Sequence, residues 1–185
     1  ASWNLDMHLS QGMLDFGGES SFTALRVNAA WLGTLSPRSQ LLLRGSLQLS
    51  HTDLLPAAEQ FQLGGSASVR GYSEGLLSGR QGYLMSLEWR YALQNPEEYL
   101  TRDPNTPLTS AMVFLDHGGA FPFRPAPQSD VTYDDMLTGA GVGLVFDWKE
   151  KFSGRLAVAW PLRDNPGEIE PREPRLHVSI AYKWP

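Results

Sequence analysis

The sequence predicts an all-β chain, an antiparallel transmembrane β-barrel built from eight strands. Three observations carry this. Apolar and polar residues alternate with a period of two nearly everywhere. The alternating runs are about ten residues or longer, against about five or six for an average strand. Their apolar rows often end in Trp or Tyr (Tyr83, Trp89, Tyr91, Trp148, Tyr182, Trp184), as where a lipid-facing row meets an aromatic belt. A soluble β-sandwich gives the same alternation; the strand length and the aromatic ends favour the barrel.

Taken in order, Trp3, Leu5, Met7 and Leu9 oppose Asn4, Asp6, His8 and Ser10. Leu25, Val27, Ala29 and Trp31 oppose Arg26 and Asn28. Leu41, Leu43, Leu47 and Leu49 oppose Arg44, Ser46, Gln48 and Ser50. Tyr83, Met85, Leu87, Trp89, Tyr91 and Leu93 oppose Gly82, Leu84, Ser86, Glu88, Arg90 and Ala92. Ala111, Val113 and Leu115 oppose Phe114 and Asp116. Ala140, Val142, Leu144, Phe146 and Trp148 oppose Gly139, Gly141, Gly143 and Asp147. Leu156, Val158, Trp160 and Leu162 oppose Arg155, Ala157 and Ala159. Leu176, Val178, Ile180, Tyr182 and Trp184 oppose His177, Ser179, Ala181 and Lys183. Helical spacing would mix these sets, and no helix is predicted.

The connections are asymmetric. SPR (Ser36 to Arg38) and KEK (Lys149 to Lys151) are short and fall on one side. Leu14 to Ser20, Thr52 to Arg80, Phe123 to Asp135 and Arg163 to Glu173 are longer and fall on the other. Short periplasmic turns and long outer loops are the barrel rule. Gln94 to Thr109 breaks it, being long on the short side. On this trace the C-terminus is periplasmic.

Composition excludes several classes. The 185 residues suit one domain with a sizeable core. A net charge of −5 and a pI near 5.3 argue against a general nucleic-acid binder. The absence of cysteine removes disulfides and thiolate metal sites. No apolar run is long enough for a membrane-crossing helix, which leaves barrel strands open. Residue 1 is Ala and no signal peptide is visible, so the chain reads as a piece of a longer precursor.

Chemistry-bearing patterns are weak. His8, His51, His117 and His177 stand apart, with no metal-ligand spacing; each reads as a lumen-facing or loop residue, and no metal is expected. Gly64-Gly65-Ser66-Ala67-Ser68 lacks the last glycine of a nucleophile elbow. Gly139-Ala140-Gly141-Val142-Gly143 lacks the helix and spacing of a dinucleotide site. Asp134-Asp135 and Glu168-Glu170 read as solvated loop charge. No catalytic residue and no cofactor are expected, and the chain does not read as an enzyme.

One loop is specific. Leu55 to Gly65 reads LPAAEQFQLGG, then Ser68 to Tyr72 reads SVRGY, and Leu77 to Gly79 reads LSG. With Phe114-Leu115-Asp116-His117-Gly118 downstream, a match to F-x-D-x-G, these residues resemble the two-partner-secretion transporters (TpsB, the haemolysin-activator type), within the superfamily of the assembly factor BamA. The Gly-rich strand Thr138 to Phe146 is similar as well. The likeness covers nearly the whole chain. It implies a C-terminal half of a sixteen-stranded barrel, residues 1–185, with a loop at about 53–80 inserted in the lumen. The POTRA domains and first eight strands of such a protein would lie outside this sequence.

The resemblance implies that Val69, Arg70, Gly71 and Tyr72 form the lumen loop motif. Phe114, Asp116 and Gly118 would be its partners on the wall, with Arg70 pairing Asp116. The residues agree: Asp116 lies on the polar face of its strand, and arginine offers a carboxylate a bidentate fork. Gly139, Gly141 and Gly143 would leave the next strand bare for the loop to dock. The bland alternative is a solvated Arg70 with Asp116 paired elsewhere. The implied function is outer-membrane secretion of a large exoprotein (TpsA-like), with lipid around the barrel and no nucleotide hydrolysis. A BamA-like insertase and the barrel of a patatin-like autotransporter remain alternatives, as does a soluble binding module. The terminal Trp184-Pro185 departs from the usual aromatic end.

Overall fold

The computed structural model describes residues 1–14, 20–52, 55–94, 108–122, 135–148, 151–165 and 173–184. Eight long strands form one antiparallel sheet: β1 (Ser2–Leu14), β2 (Ser20–Ser36), β3 (Ser39–Ser50), β6 (Gln81–Ala92), β7 (Leu108–Phe121), β8 (Met136–Trp148), β9 (Phe152–Pro161) and β10 (Arg175–Tyr182). They pair in chain order, with β1 and β10 at the two edges, so the sheet is open. Between β3 and β6 the loop carries one 3-10 turn (Ala57–Glu59) and two short strands, β4 (Phe61–Leu63) and β5 (Leu77–Gly79), which pair only with each other. The alternation in sequence locates the eight wall strands. The β4–β5 hairpin is too short to show a period.

The two faces differ in what covers them. Trp3, Leu5, Leu47, Met85, Val142, Leu176 and Ile180 stand exposed on one face, an apolar surface far too large for a water-soluble monomer and suited to lipid. On the other face the loop lies across β6, β7 and β8. Phe61, Leu63, Val69 and Tyr72 pack there on Ala120 and Leu137, with Leu76, Leu77 and Leu84 at the margin. This is the principal core, and it belongs to the loop and the wall jointly.

Register places the site. Arg44, Ser86, Asp116 and Gly139 form one row across β3, β6, β7 and β8. Glu88, Phe114, Gly141 and Ala159 form the next. The loop is tied down at both feet. The Gln48 side-chain amide donates to the Glu59 carbonyl at 2.8 Å, and the Gln81 amide donates to the Ser50 carbonyl at 2.7 Å. The SPR turn joins β2 to β3 as the sequence predicts. The connections at 15–19, 95–107, 123–134 and 166–172 lie outside the described residues, as do most of KEK, Asp134, Glu168-Glu170 and Pro185.

His117 differs from the sequence reading. It follows Asp116 and therefore points to the opposite, outward face, not to the lumen. Its Nε2 lies 2.8 Å from the Tyr83 hydroxyl and its Nδ1 2.9 Å from that of Thr138. The ring sits 5.6 Å from that of Tyr83. These partners satisfy both nitrogens on an otherwise apolar face.

Candidate functional site: a loop pinned to the barrel wall

The loop reverses direction at Gly71, where φ is +100°. A side chain there would meet the backbone of Trp160 and Pro161 at about 3 Å. Only glycine satisfies both the dihedral and the space. This turn lays Arg70 and Tyr72 against the wall, and its own N–H donates to His177 Nε2 at 3.2 Å.

Arg70 is 1% exposed and Asp116 is fully buried. The guanidinium grips the carboxylate through two bonds, Nε to Oδ2 at 2.6 Å and Nη2 to Oδ1 at 2.8 Å. The Arg70 backbone N–H adds a third at 3.2 Å. Ser86 donates to the same Oδ1 at 2.7 Å. Four donors on one carboxylate fix its orientation. Burial pushes the Arg70 guanidinium down, and the Asp116 and Glu88 carboxylates more than offset that, holding it above its ordinary value.

Two wall residues complete the grip. Glu88, also fully buried, accepts from Arg70 Nη1 at 3.1 Å, from Arg90 Nε at 2.6 Å and from Arg155 at 3.4 Å. Phe114 turns the face of its ring to the guanidinium, whose carbon lies 3.4 Å from the ring centroid, a cation–π contact. Sequence reasoning missed Glu88. Its signal was parity with Ser86 and Arg90 on the lumenal row of β6.

Tyr72 holds the far side. Its hydroxyl is 2.8 Å from the carbonyls of Thr138 and Arg163 and accepts the Arg163 N–H at 3.2 Å. Burial pushes its phenol up. Val69 is fully buried in the loop core.

The glycines divide differently from the sequence reading. A Cβ on Gly139 would strike the Arg70 carbonyl, so Gly139 does lie beneath the loop. Gly141 and Gly143 do not. The space over Gly141 is taken by the Phe114 ring and that over Gly143 by the Met112 side chain, with the β9 backbone behind each. Gly141 thus lets Phe114 lie flat, which turns its ring face to Arg70. The loop's own landing points are Gly82 under Phe61, Gly118 under Leu63 and Gly139 under Arg70, one on each of three adjacent strands.

The chain resembles known proteins in sequence and in shape. A family model described as haemolysin secretion/activation protein ShlB/FhaC/HecB matches residues 1–146. The solved structure of CdiB from Escherichia coli superposes with a TM-score of 0.75 and 25% identity, over 97% of this chain and 33% of that one. CdiB from Acinetobacter baumannii superposes at 0.65 and 19% identity, over 98% and 31%. The chain spans about one third of the length of these two structures. The alternating wall, the pinned loop and these matches agree: the chain belongs to the ShlB/FhaC/HecB family and forms part of a β-barrel in the bacterial outer membrane.

Proposed function

We propose that this segment belongs to a two-partner-secretion transporter, which moves a large exoprotein partner through its barrel without nucleotide hydrolysis. In this reading the preceding POTRA domains receive the substrate from the periplasm. The preceding barrel strands close the pore, and membrane lipid surrounds it. The loop is a latch. Seated, it fills the lumen beside β6, β7 and β8; secretion requires it to shift or remodel. Val69, Arg70, Gly71 and Tyr72 form its tip, and Phe114, Asp116 and Gly118 its seat.

The observation that supports this best is the bidentate Arg70–Asp116 pair, buried between a loop and a barrel wall. Such pairs add little net stability against an apolar alternative, yet losing one partner costs about 3–5 kcal/mol. That asymmetry suits a device that specifies one position.

The test is a charge swap in the full-length parent, scored by secreted partner at matched barrel levels. Arg70→Glu and Asp116→Arg are each expected to lower secretion sharply. The double swap should recover part of it, and more once Glu88→Gln removes the carboxylate that would repel the new glutamate. Normal secretion by both single variants would show that the latch does not exist.

A further inference from the structure

The outward face of the sheet has a hollow that the protein's own packing does not use. Its floor is Ala29 on β2 and Gly45 on β3, neighbours in register, with Leu5 and Met85 at the ends of the same row. Trp31, Leu43 and Leu87, one row nearer the short turns, form its side. The hollow has a volume of about 600 Å³, within the range of small-ligand sites.

Gly45 is the informative residue. Glycine in mid-strand weakens the strand and marks a bulge, a bend or the close approach of another group. Gly45 has no bulge, since pairing is continuous through it on both sides. Its dihedral is not left-handed. Nor does a neighbour fill its space: a Cβ there would meet nothing nearer than the Leu84 carbonyl at 3.8 Å. Gly141 and Gly154 differ, because Phe114 and Phe146 already occupy their space. Gly45 therefore leaves open space on the outward face.

We propose that this hollow binds the acyl chain of a phospholipid from the leaflet on the short-turn side. The face that holds it is apolar and lies in the outer membrane, so hydrocarbon is its surrounding solvent. The wall residues beyond the floor lie toward the short turns, so the hollow sits nearer the leaflet on that side. A flat wall leaves lipid tails sliding freely, whereas a recess flanked by Trp31, Leu43 and Leu87 holds one tail in place by dispersion contact. The inference does not rest on the latch, and its failure would leave the latch reading untouched.

The experiment uses the full-length parent in vesicles of phosphatidylethanolamine bearing a diazirine in mid-chain, with adducts mapped by peptide mass spectrometry. Wild type should label severalfold more at Trp31, Leu43 and Met85 than at Val142 and Leu144, which are exposed on the same face outside the hollow. Gly45→Leu, and separately Ala29→Leu, should abolish that excess while leaving Val142 and Leu144 labelled as before. Even labelling of both patches in wild type overturns the proposal. So does labelling confined to a diazirine lipopolysaccharide, or cross-linking of two copies through Leu43. The wild-type comparison decides even if a filled variant fails to assemble.

Discussion

Arg70 has one ring and two carboxylates around it, and their contributions separate by chemistry. Asp116 takes two guanidinium bonds and a backbone bond. Glu88 takes one bond and divides its charge among three arginines. Phe114 offers only its ring face, a contact worth about 0.5–2 kcal/mol. Phe114→Leu should therefore weaken loop seating less than Asp116→Ala, which strands a buried cation. Labelling of a cysteine placed at Val69, fully buried while the loop is seated, reads this in the full-length parent. Equal labelling of the two variants would contradict the ranking. The Arg70–Asp116 pair was legible because two motifs in the right order named both ends. Glu88 was not. In a period-two strand a latch carboxylate and a solvated lumenal carboxylate occupy the same kind of position. Only the register that sets Glu88 beside Phe114 distinguishes them.

Along the elements, parity was legible and filling was not. Alternation placed each side chain of the eight wall strands on its face, and the parity that turns Asp116 inward also turns His117 outward. What occupies the space over a glycine depends on the neighbouring strand. Gly139, Gly141 and Gly143 look alike in sequence, yet the first faces Arg70 and the others face Phe114 and Met112. A prediction follows for substitution. Gly139→Ala drives a methyl into the Arg70 carbonyl, so it should lift the loop and raise labelling at the Val69 position. Gly45→Ala meets open space and should leave seating and heat-modifiable migration unchanged. If both substitutions behave alike, the landing role of Gly139 is wrong. The β4–β5 hairpin stayed unread because three-residue strands inside a Gly-rich loop carry no periodicity.

At the scale of the whole molecule, β1 and β10 each present an edge with no partner among the described residues. Hydrocarbon cannot satisfy the backbone groups of an open edge, and exposed edges template further pairing. Produced by itself in detergent, this 185-residue segment should elute as an oligomer or aggregate in size-exclusion chromatography with light scattering. A stable heat-modifiable monomer would show that the edges close on each other. The fold class was legible from the strands. The openness was legible only through the family resemblance, because alternation does not reveal how many strands complete a barrel.

The two feet of the loop stand on adjacent strands at the same rim, with Gln48 opposite Gly82. The loop is thus a flap hung from one edge, not a cord threaded through the wall. It can leave the lumen without parting a single rung of the barrel ladder. Its free direction is toward the rim where both feet stand. In the transporter reading proposed above, a flap hung in this way would act as a check valve.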